Sequence, residues 1–214
     1  VKPDGSLKWK IRLSTVYGTN VFVFTGQTPV IDEDAGKLYL AGTTTSNLPR
    51  FFALDLNTGS VIWNQVWPGG SSTSETSHFS FDKPANRLYS AANAALLEIN
   101  PASGEITQYL LSSLVASASD GVSRQPKSLV SIDSVNNALL VGFDYSSVPA
   151  SGSDKGTADT KTKVFSLNKT TKAINWTYEI PLDLAGNMLT VDNFGNLYFA
   201  AEDIGLGSGR LYSL

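Results

Sequence analysis

Residues 52–63 read FALDLNTGSVIW, and this stretch decides the fold. An apolar run leads to Asp55, a polar turn follows and ends at Gly59, and a second apolar run ends at Trp63. Asp, Asn and Thr side chains can hydrogen-bond their own backbone in a turn, and glycine adopts positive φ without steric cost. The stretch therefore predicts two antiparallel strands joined by a tight turn. The same register recurs at 97–108 (LEINPASGEITQ) and at 165–176 (FSLNKTTKAINW).

A second phrase precedes each of these copies: a short apolar strand that ends in Asp, a polar turn, and a strand of Leu-Tyr type. It occurs four times, at 30–41, 80–91, 131–142 and 190–200, and its Asp residues are Asp32, Asp82, Asp133 and Asp192. Self-similarity at a period of tens of residues is the signature of a repeat architecture. One copy departs from the pattern, because Lys172 stands where glycine is expected, which predicts another turn type or local strain.

The Ala-Leu-Asp, Thr-Gly and Trp pattern of residues 53–63 resembles the repeat of PQQ-like (pyrroloquinoline-quinone-type) β-propellers, and the resemblance covers nearly the whole chain. It implies an all-β fold of four-stranded antiparallel blades, with Trp9, Trp63 and Trp176 packed between blades. The family includes PQQ-dependent dehydrogenases, which bind the quinone on the propeller axis with calcium, often beside a vicinal Cys pair and a catalytic Asp. It also includes non-catalytic scaffolds such as outer-membrane assembly lipoproteins. This chain has no cysteine, and no motif carries the catalytic Asp onto it.

The two ends of the chain match each other. Joined tail to head, Leu211-Tyr212-Ser213-Leu214-Val1 aligns with residues 51–55 without a gap, and Gly5 and Trp9 then align with Gly59 and Trp63. The N-terminal strand thus completes the last blade, either in its own copy or in a neighbouring one. The residues predicted for this assembly are Val1, Trp9, Leu211 and Leu214.

We therefore predict one β-propeller domain over residues 1–214, with four blades of four strands. The blades cover about residues 28–67, 77–114, 127–180, and 187–214 plus 6–13, and residues 14–27 form a connector. Splitting a blade between the termini removes an open seam.

The composition narrows the possible partners. The net charge is −3, with 16 Lys and Arg against 19 Asp and Glu, so no basic surface is expected to neutralise phosphates and nucleic acid is excluded. No apolar run approaches the roughly 20 residues that span a bilayer. The chain begins without Met or a signal peptide, which is expected of a mature product or an excised piece.

Two sequons, Asn168-Lys169-Thr170 and Asn175-Trp176-Thr177, lie before and within the outer strand of the third blade. An outer strand faces solvent, so Asn168 and Asn175 are candidate N-glycosylation sites. Loops rich in Ser and Thr, such as 70–74 and 145–163, agree with an extracellular setting. We expect an extracellular or secreted protein, in the periplasm or on the cell surface in a bacterium.

No catalytic constellation is found, and we expect no enzyme. The one histidine, His78, is accompanied by no nucleophile motif, and zinc ligation lacks Cys and further His. The four repeated Asp residues have two interpretations. They cap the turns that follow, or they form a carboxylate ring at one mouth of the channel that holds calcium. The metal candidates are therefore Asp32, Asp82, Asp133 and Asp192, and no other cofactor is expected.

The sequence favours a non-catalytic extracellular propeller that acts as a structural or interaction module. Because the ends match, copies joined head to tail would build a glycosylated filament, and strand donation to a neighbouring copy is a variant of this hypothesis. The alternative is a fragment of a quinoprotein-like dehydrogenase propeller, which predicts quinone and calcium dependence. A third hypothesis is a carbohydrate-binding propeller with Tyr and Trp platforms.

Overall fold

The computed structural model describes residues 4–13, 21–22, 29–44, 49–67, 79–92, 95–110, 122–126, 130–147, 160–180, 183–203 and 208–214. The strands within these residues are β1 Val21–Phe22, β2 Val30–Asp32, β3 Lys37–Thr44, β4 Pro49–Asp55, β5 Val61–Val66, β6 Ser80–Asp82, β7 Arg87–Ala92, β8 Ala95–Ile99, β9 Ile106–Leu110, β10 Val122–Pro126, β11 Ser131–Asp133, β12 Ala138–Ser147, β13 Thr160–Asn168, β14 Ile174–Ile180, β15 Asp183–Val191, β16 Leu197–Asp203 and β17 Ser208–Ser213.

These strands form four antiparallel sheets, which confirms the predicted all-β class. Blade 1 contains β1 to β5, blade 2 contains β6 to β9, blade 3 contains β10 to β14, and blade 4 contains β15 to β17. In blades 1 and 3 two short strands share the inner position, because β1 and β2 both pair with β3, and β10 and β11 both pair with β12. β1 lies in the stretch predicted as a connector, and β10 precedes the predicted start of blade 3.

The pairing register repeats from blade to blade. The second strand meets the third at Tyr39 and Ala53, Tyr89 and Glu98, Leu140 and Ser166, and Tyr198 and Ser213. These pairs are equivalent positions of the sequence repeat. A one-residue slip would turn every buried side chain to the wrong face, so the same apolar alternation produces the same register each time.

The core lies between neighbouring blades. Tyr39, Phe51 and Trp63 of blade 1 pack with Leu88 and Leu97 of blade 2, and similar clusters join blade 2 to blade 3 and blade 3 to blade 4. Successive residues of a strand point to opposite faces, so each of these sheets has an apolar face for each neighbour. Burial raises the pKa of the Tyr39 hydroxyl to about 12.

The turn between the two outer strands has one form in blades 1 to 3. Gly59 and Gly104 have φ of 74° and 77°, and their amides donate to the carbonyl groups of Asp55 and Asn100 at 2.8 Å. Lys172 has φ of 61° and donates in the same way to Asn168 at 2.8 Å. The turn type is thus kept, and Lys172 adopts a left-handed conformation that costs about 1–2 kcal/mol for a residue with a side chain.

Gly104→Ala is expected to cost more stability than Gly36→Ala. Both glycines have positive φ, so both substitutions carry about the same backbone strain. A methyl group at Gly104 would also stand 2.6 Å from the Trp63 ring, whereas one at Gly36 would meet no atom within 4 Å. Overpacking of this kind adds about 2 kcal/mol, and urea denaturation of the two variants measures the difference. Equal costs would show that the Trp63 ring shifts freely.

Candidate functional site at the edge of the fourth blade

Blade 1 is joined to blade 2 through the tryptophan of its outer strand. Trp63 on β5 is 8% exposed, and its Nε1 donates to the Pro101 carbonyl of blade 2 at 2.9 Å. Its ring lies over Gly104, where any side chain would collide with it. The outer strand therefore pairs with its own blade through β4 and docks on the following blade through Trp63.

The N-terminal segment, residues 4–13, makes this same contact with blade 1. Trp9 Nε1 donates to the Leu56 carbonyl at 3.0 Å, and the Trp9 ring lies over Gly59, 2.6 Å from where a methyl group would be. Lys8 Nζ donates to Asn57 Oδ1 at 3.0 Å, and Trp9, Ile11 and Leu13 pack on Phe52 and Leu54. The segment thus occupies the place of the outer strand of a blade that precedes blade 1.

The contact between blades 2 and 3 uses different chemistry. Gln108 stands at the Trp position of blade 2, and Lys172 stands at the Gly position of blade 3. Lys172 Nζ lies 2.6 Å from Glu98 Oε2 and about 5 Å from the ring centroids of Tyr89 and Tyr109 (5.3 and 5.2 Å). The cation therefore reaches the space that a tryptophan fills elsewhere, which explains why a side chain is tolerated at this turn.

A second ion pair lies beside the first. Lys169 Nζ is 2.6 Å from Asp82 Oδ2, and the side chains of these two residues are 17% and 1% exposed. Burial, with a smaller contribution from the Glu98 charge, raises the pKa of Tyr89 well above its usual value. The sequence analysis singled out Lys172 and Asp82 but not their ion-pair partners, Glu98 and Lys169. The signal for these pairs was the combined exchange of Trp for Gln and of Gly for Lys at positions that meet across blades.

Blade 4 ends in an edge that no described strand covers. β17 pairs with β16, and the described residues include no pairing on its other side. Leu211 on β17 is 79% exposed and Leu214 is 41% exposed, whereas the equivalent residues Phe51 and Leu54 of blade 1 are buried. This edge is the site where the predicted fourth strand would lie.

A groove of about 600 Å³ adjoins this edge, between blades 3 and 4. Its walls include Trp176 and Tyr178 of β14, Gly195 and Leu197 of blade 4, and Leu214. Trp176 is 39% exposed, in contrast to the buried Trp63 at the equivalent position of blade 1. The groove is therefore the Trp contact of blade 3 without the turn that covers it in blade 1.

The predicted assembly residues are divided between two places. Leu211 and Leu214 lie together at the free edge, and Leu214 exchanges backbone hydrogen bonds with Leu197 at 2.9 and 3.0 Å. Trp9 lies on blade 1 instead, and Val1 is outside the described residues, as is His78. Pairing of the N-terminal strand with the last blade stays a prediction.

The four repeated Asp residues bind the amides of their own turns. Asp32 and Asp82 accept from Ala35 and Ala85 at 3.2 Å, Asp133 accepts from Val135 and Asn136 at 3.0 Å, and Asp192 accepts from Phe194 and Asn196 at 2.9 Å. The bond from the Asn196 side chain, together with the two amides, holds the pKa of Asp192 below its usual value. In the part of the chain that the structure describes, no three His, Cys, Asp or Glu side chains are grouped closely enough to hold a metal ion.

The two sequon asparagines differ in setting. Asn168 Oδ1 accepts from the amides of Thr170 and Thr171 at 3.0 and 2.9 Å, so this side chain caps the outer turn of blade 3. Asn175 is exposed on β14, its Nδ2 donates to Ser166 Oγ at 3.3 Å, and it borders the groove.

No family model matches the chain, and no curated protein matches it either. Among solved structures, it is similar to the quinohemoprotein alcohol dehydrogenase from Comamonas testosteroni, with 12% identity, a TM-score of 0.56, and coverage of 86% of this chain and 30% of that one. It is similar to Sqt1 from Saccharomyces cerevisiae, with 11% identity, a TM-score of 0.54, and coverage of 89% and 48%. BamB from Moraxella catarrhalis has 19% identity, a TM-score of 0.48, and coverage of 86% and 48%.

Together, the four repeated sheets and the solved structures define the class: the chain has a β-propeller fold. Identities this low show the fold alone. The chain spans about half the length, or less, of these three solved chains. Within the described residues, no helix has the length and apolar character needed to cross a bilayer.

Proposed function

We propose that the chain is a non-catalytic extracellular propeller and the repeating unit of a head-to-tail assembly. One observation carries the proposal: among the described residues, no strand covers the outer edge of β17, and residues 4–13 are placed as an outer strand but pair with no strand. Two different surfaces that complement each other form heterologous contacts, which build rings where the rotation closes and filaments where it does not. The proposal needs no cofactor.

The extracellular part of the proposal is supported by the sequons. Asn175 is exposed on the outer strand of blade 3, where a glycan would project into solvent. Asn168 Oδ1 accepts hydrogen bonds from the amides of the turn, and a glycan would be attached to the other polar atom of this side chain, Nδ2. We also propose that the repeat is of the PQQ-like type, which is supported by the recurring Asp-to-Gly or Asn-to-Gly turn and by the Trp contacts of Trp9 and Trp63.

The test is a mass measurement on protein from its natural source. We expect the deglycosylated polypeptide to run in native conditions as assemblies of several units, each a multiple of the 22.9 kDa of residues 1–214. Asn168→Gln and Asn175→Gln should each remove one glycan mass if both sequons are used. A native species of one unit at high concentration contradicts the assembly, and an unchanged mass on deglycosylation contradicts the glycans.

The same preparation tests the quinoprotein alternative. A fragment of a dehydrogenase propeller predicts quinone absorbance in the purified full-length protein and loss of that absorbance on calcium removal. The chain is similar in structure to a quinohemoprotein alcohol dehydrogenase at 12% identity, which concerns the fold alone. The absorbance measurement therefore tests the dehydrogenase activity independently of this similarity.

A further inference from the structure

We infer that the edge of β17 and the adjoining groove form the docking site for residues 1–13 of a second copy of the chain. This inference rests on the proposed head-to-tail assembly and identifies the residues at the interface between two copies. Three regularities of the other blade contacts support it, and each leaves an unused partner at the edge of blade 4 or in the adjoining groove.

The first regularity pairs each outer-strand tryptophan with a glycine of the following turn. Trp9 lies over Gly59, and Trp63 lies over Gly104. The remaining tryptophan on an outer strand is Trp176, which is 39% exposed in the groove. The remaining glycine of the pattern is Gly5, which has φ of 80° and no atom within 4 Å of where a methyl group would stand. Gly5 of an incoming segment therefore fits beneath Trp176.

The second regularity is a hydroxyl bond between the inner strands. Ser80 Oγ of blade 2 donates to the Val130 carbonyl of blade 3, and Ser131 Oγ of blade 3 donates to the Leu189 carbonyl of blade 4. Thr190 is the equivalent hydroxyl of blade 4, and it is exposed. The acceptor at the matching position is the carbonyl of Pro29, at the start of blade 1. A following blade 1 would therefore receive the Thr190 bond.

The third regularity is the register of the two outer strands. In blade 1, Phe51 pairs with Gln65 and Ala53 pairs with Trp63. The tail-to-head alignment transfers these pairs to Leu211 with Ile11 and to Ser213 with Trp9. Leu211, which is 79% exposed, would then be covered as Phe51 is.

A second copy is the inferred occupant because the N-terminal segment lies on blade 1 of its own chain, and among the described residues no core cluster joins blade 1 to blade 4. Trp63 shows that an outer strand pairs with one blade and docks on the next at the same time. Residues 6–13 dock on blade 1 through Trp9 and Lys8, but within the described residues they pair with no strand. The edge of β17 in the preceding copy would supply this strand pairing.

Engineered cysteines test the register and the source of the strand together. The chain has no cysteine, so Ile11→Cys and Leu211→Cys introduce the only thiols. Directly opposed residues of an antiparallel pair have Cα atoms about 4.5–5.5 Å apart, which a disulfide can bridge. We expect a mixture of the two single variants, oxidised mildly, to give a disulfide-linked pair of chains in at least tenfold excess over the Lys10→Cys and Leu211→Cys mixture. Lys10 is one position out of register and points to the other face.

Trp176→Ala supplies a second measurement. It should weaken association of the copies at least tenfold, while Ile62→Ala, a comparably exposed residue on the outer strand of blade 1, should leave association unchanged. Asn175 borders the groove, so both experiments are made with full-length protein from a host that adds no N-glycans and repeated with glycosylated protein.

The outcomes separate this inference from the proposed function. Assemblies that form without the Ile11 to Leu211 disulfide overturn the inference and leave the head-to-tail proposal standing. A double variant carries Ile11→Cys and Leu211→Cys in the same chain. If its disulfide forms only within one chain, and the protein stays a single unit, the second copy is not the occupant and the proposed assembly is also overturned. A linked pair of chains and a weakened Trp176→Ala assembly support both.

Discussion

Trp63→Ala is expected to destabilise the protein by about 3–5 kcal/mol, the usual cost of truncating a buried aromatic side chain. Trp63 is 8% exposed and packs with Tyr39, at a ring-centroid distance of 6.1 Å, and with the apolar residues of blade 2. Its removal also takes from the Pro101 carbonyl one of two side-chain donors, the other being Lys37 Nζ at 3.1 Å, and leaves Gly104 without a cover. Glycine has no side chain that could move into the space, so the cavity would persist.

Urea denaturation with Ile62→Ala as the control measures this effect. Ile62 is the adjacent residue on the same strand, but it is 44% exposed, so we expect its truncation to change the free energy of unfolding by about 1 kcal/mol or less. The slope of the denaturation curve should be equal in both variants if unfolding remains two-state. Similar midpoints for the two variants would contradict the conclusion that Trp63 is a principal contact between blades 1 and 2.

The sequence repeat predicts the fold well because each blade buries the same alternation of residues. Once Leu54 and Ile99 are recognised as equivalent, the strands, their order and their register follow from one copy. The short strands β1 and β10 were outside the predicted blades because their sequences, VF and VSRQP, have no apolar alternation. Their pairing is decided by the longer strands β3 and β12, which extend past the repeat.

The candidate site was predictable in part. The match between the chain ends identified Leu211 and Leu214, which lie at an edge that no described strand covers. The repeat predicted that Trp9 packs between blades, but it did not name the partners of Trp9, because the contact with Leu56 joins residues 47 positions apart. The structure supplies the relation of tryptophan to the glycine of the following turn. This relation also brings the exposed Trp176 and the uncovered Gly5 into one hypothesis.

Glu98→Gln is expected to destabilise the protein by about 3 kcal/mol, because it leaves a buried cation without its counter-charge. Lys172 is 8% exposed, and its Nζ lies 2.6 Å from Glu98 Oε2. Arg87 Nε also contacts Glu98, at 3.1 Å, but Arg87 is 41% exposed and can turn toward water. Lys172 Nζ is instead enclosed, about 5 Å from the ring centroids of Tyr89 and Tyr109 (5.3 and 5.2 Å), and it donates to the Lys169 carbonyl.

Adding Lys172→Met to Glu98→Gln should recover at least half of the lost stability, because an apolar side chain of similar length needs no counter-charge. Lysine already adopts the left-handed conformation at this turn, so methionine brings no new backbone strain. The interaction free energy from the double-mutant cycle, obtained by urea denaturation, is expected to be about 1–3 kcal/mol. Additive effects would contradict a direct pair between Glu98 and Lys172. They would show instead that the position of the lysine cation between the Tyr89 and Tyr109 rings holds blade 3 to blade 2, where the contacts of Trp9 and Trp63 use tryptophan and glycine.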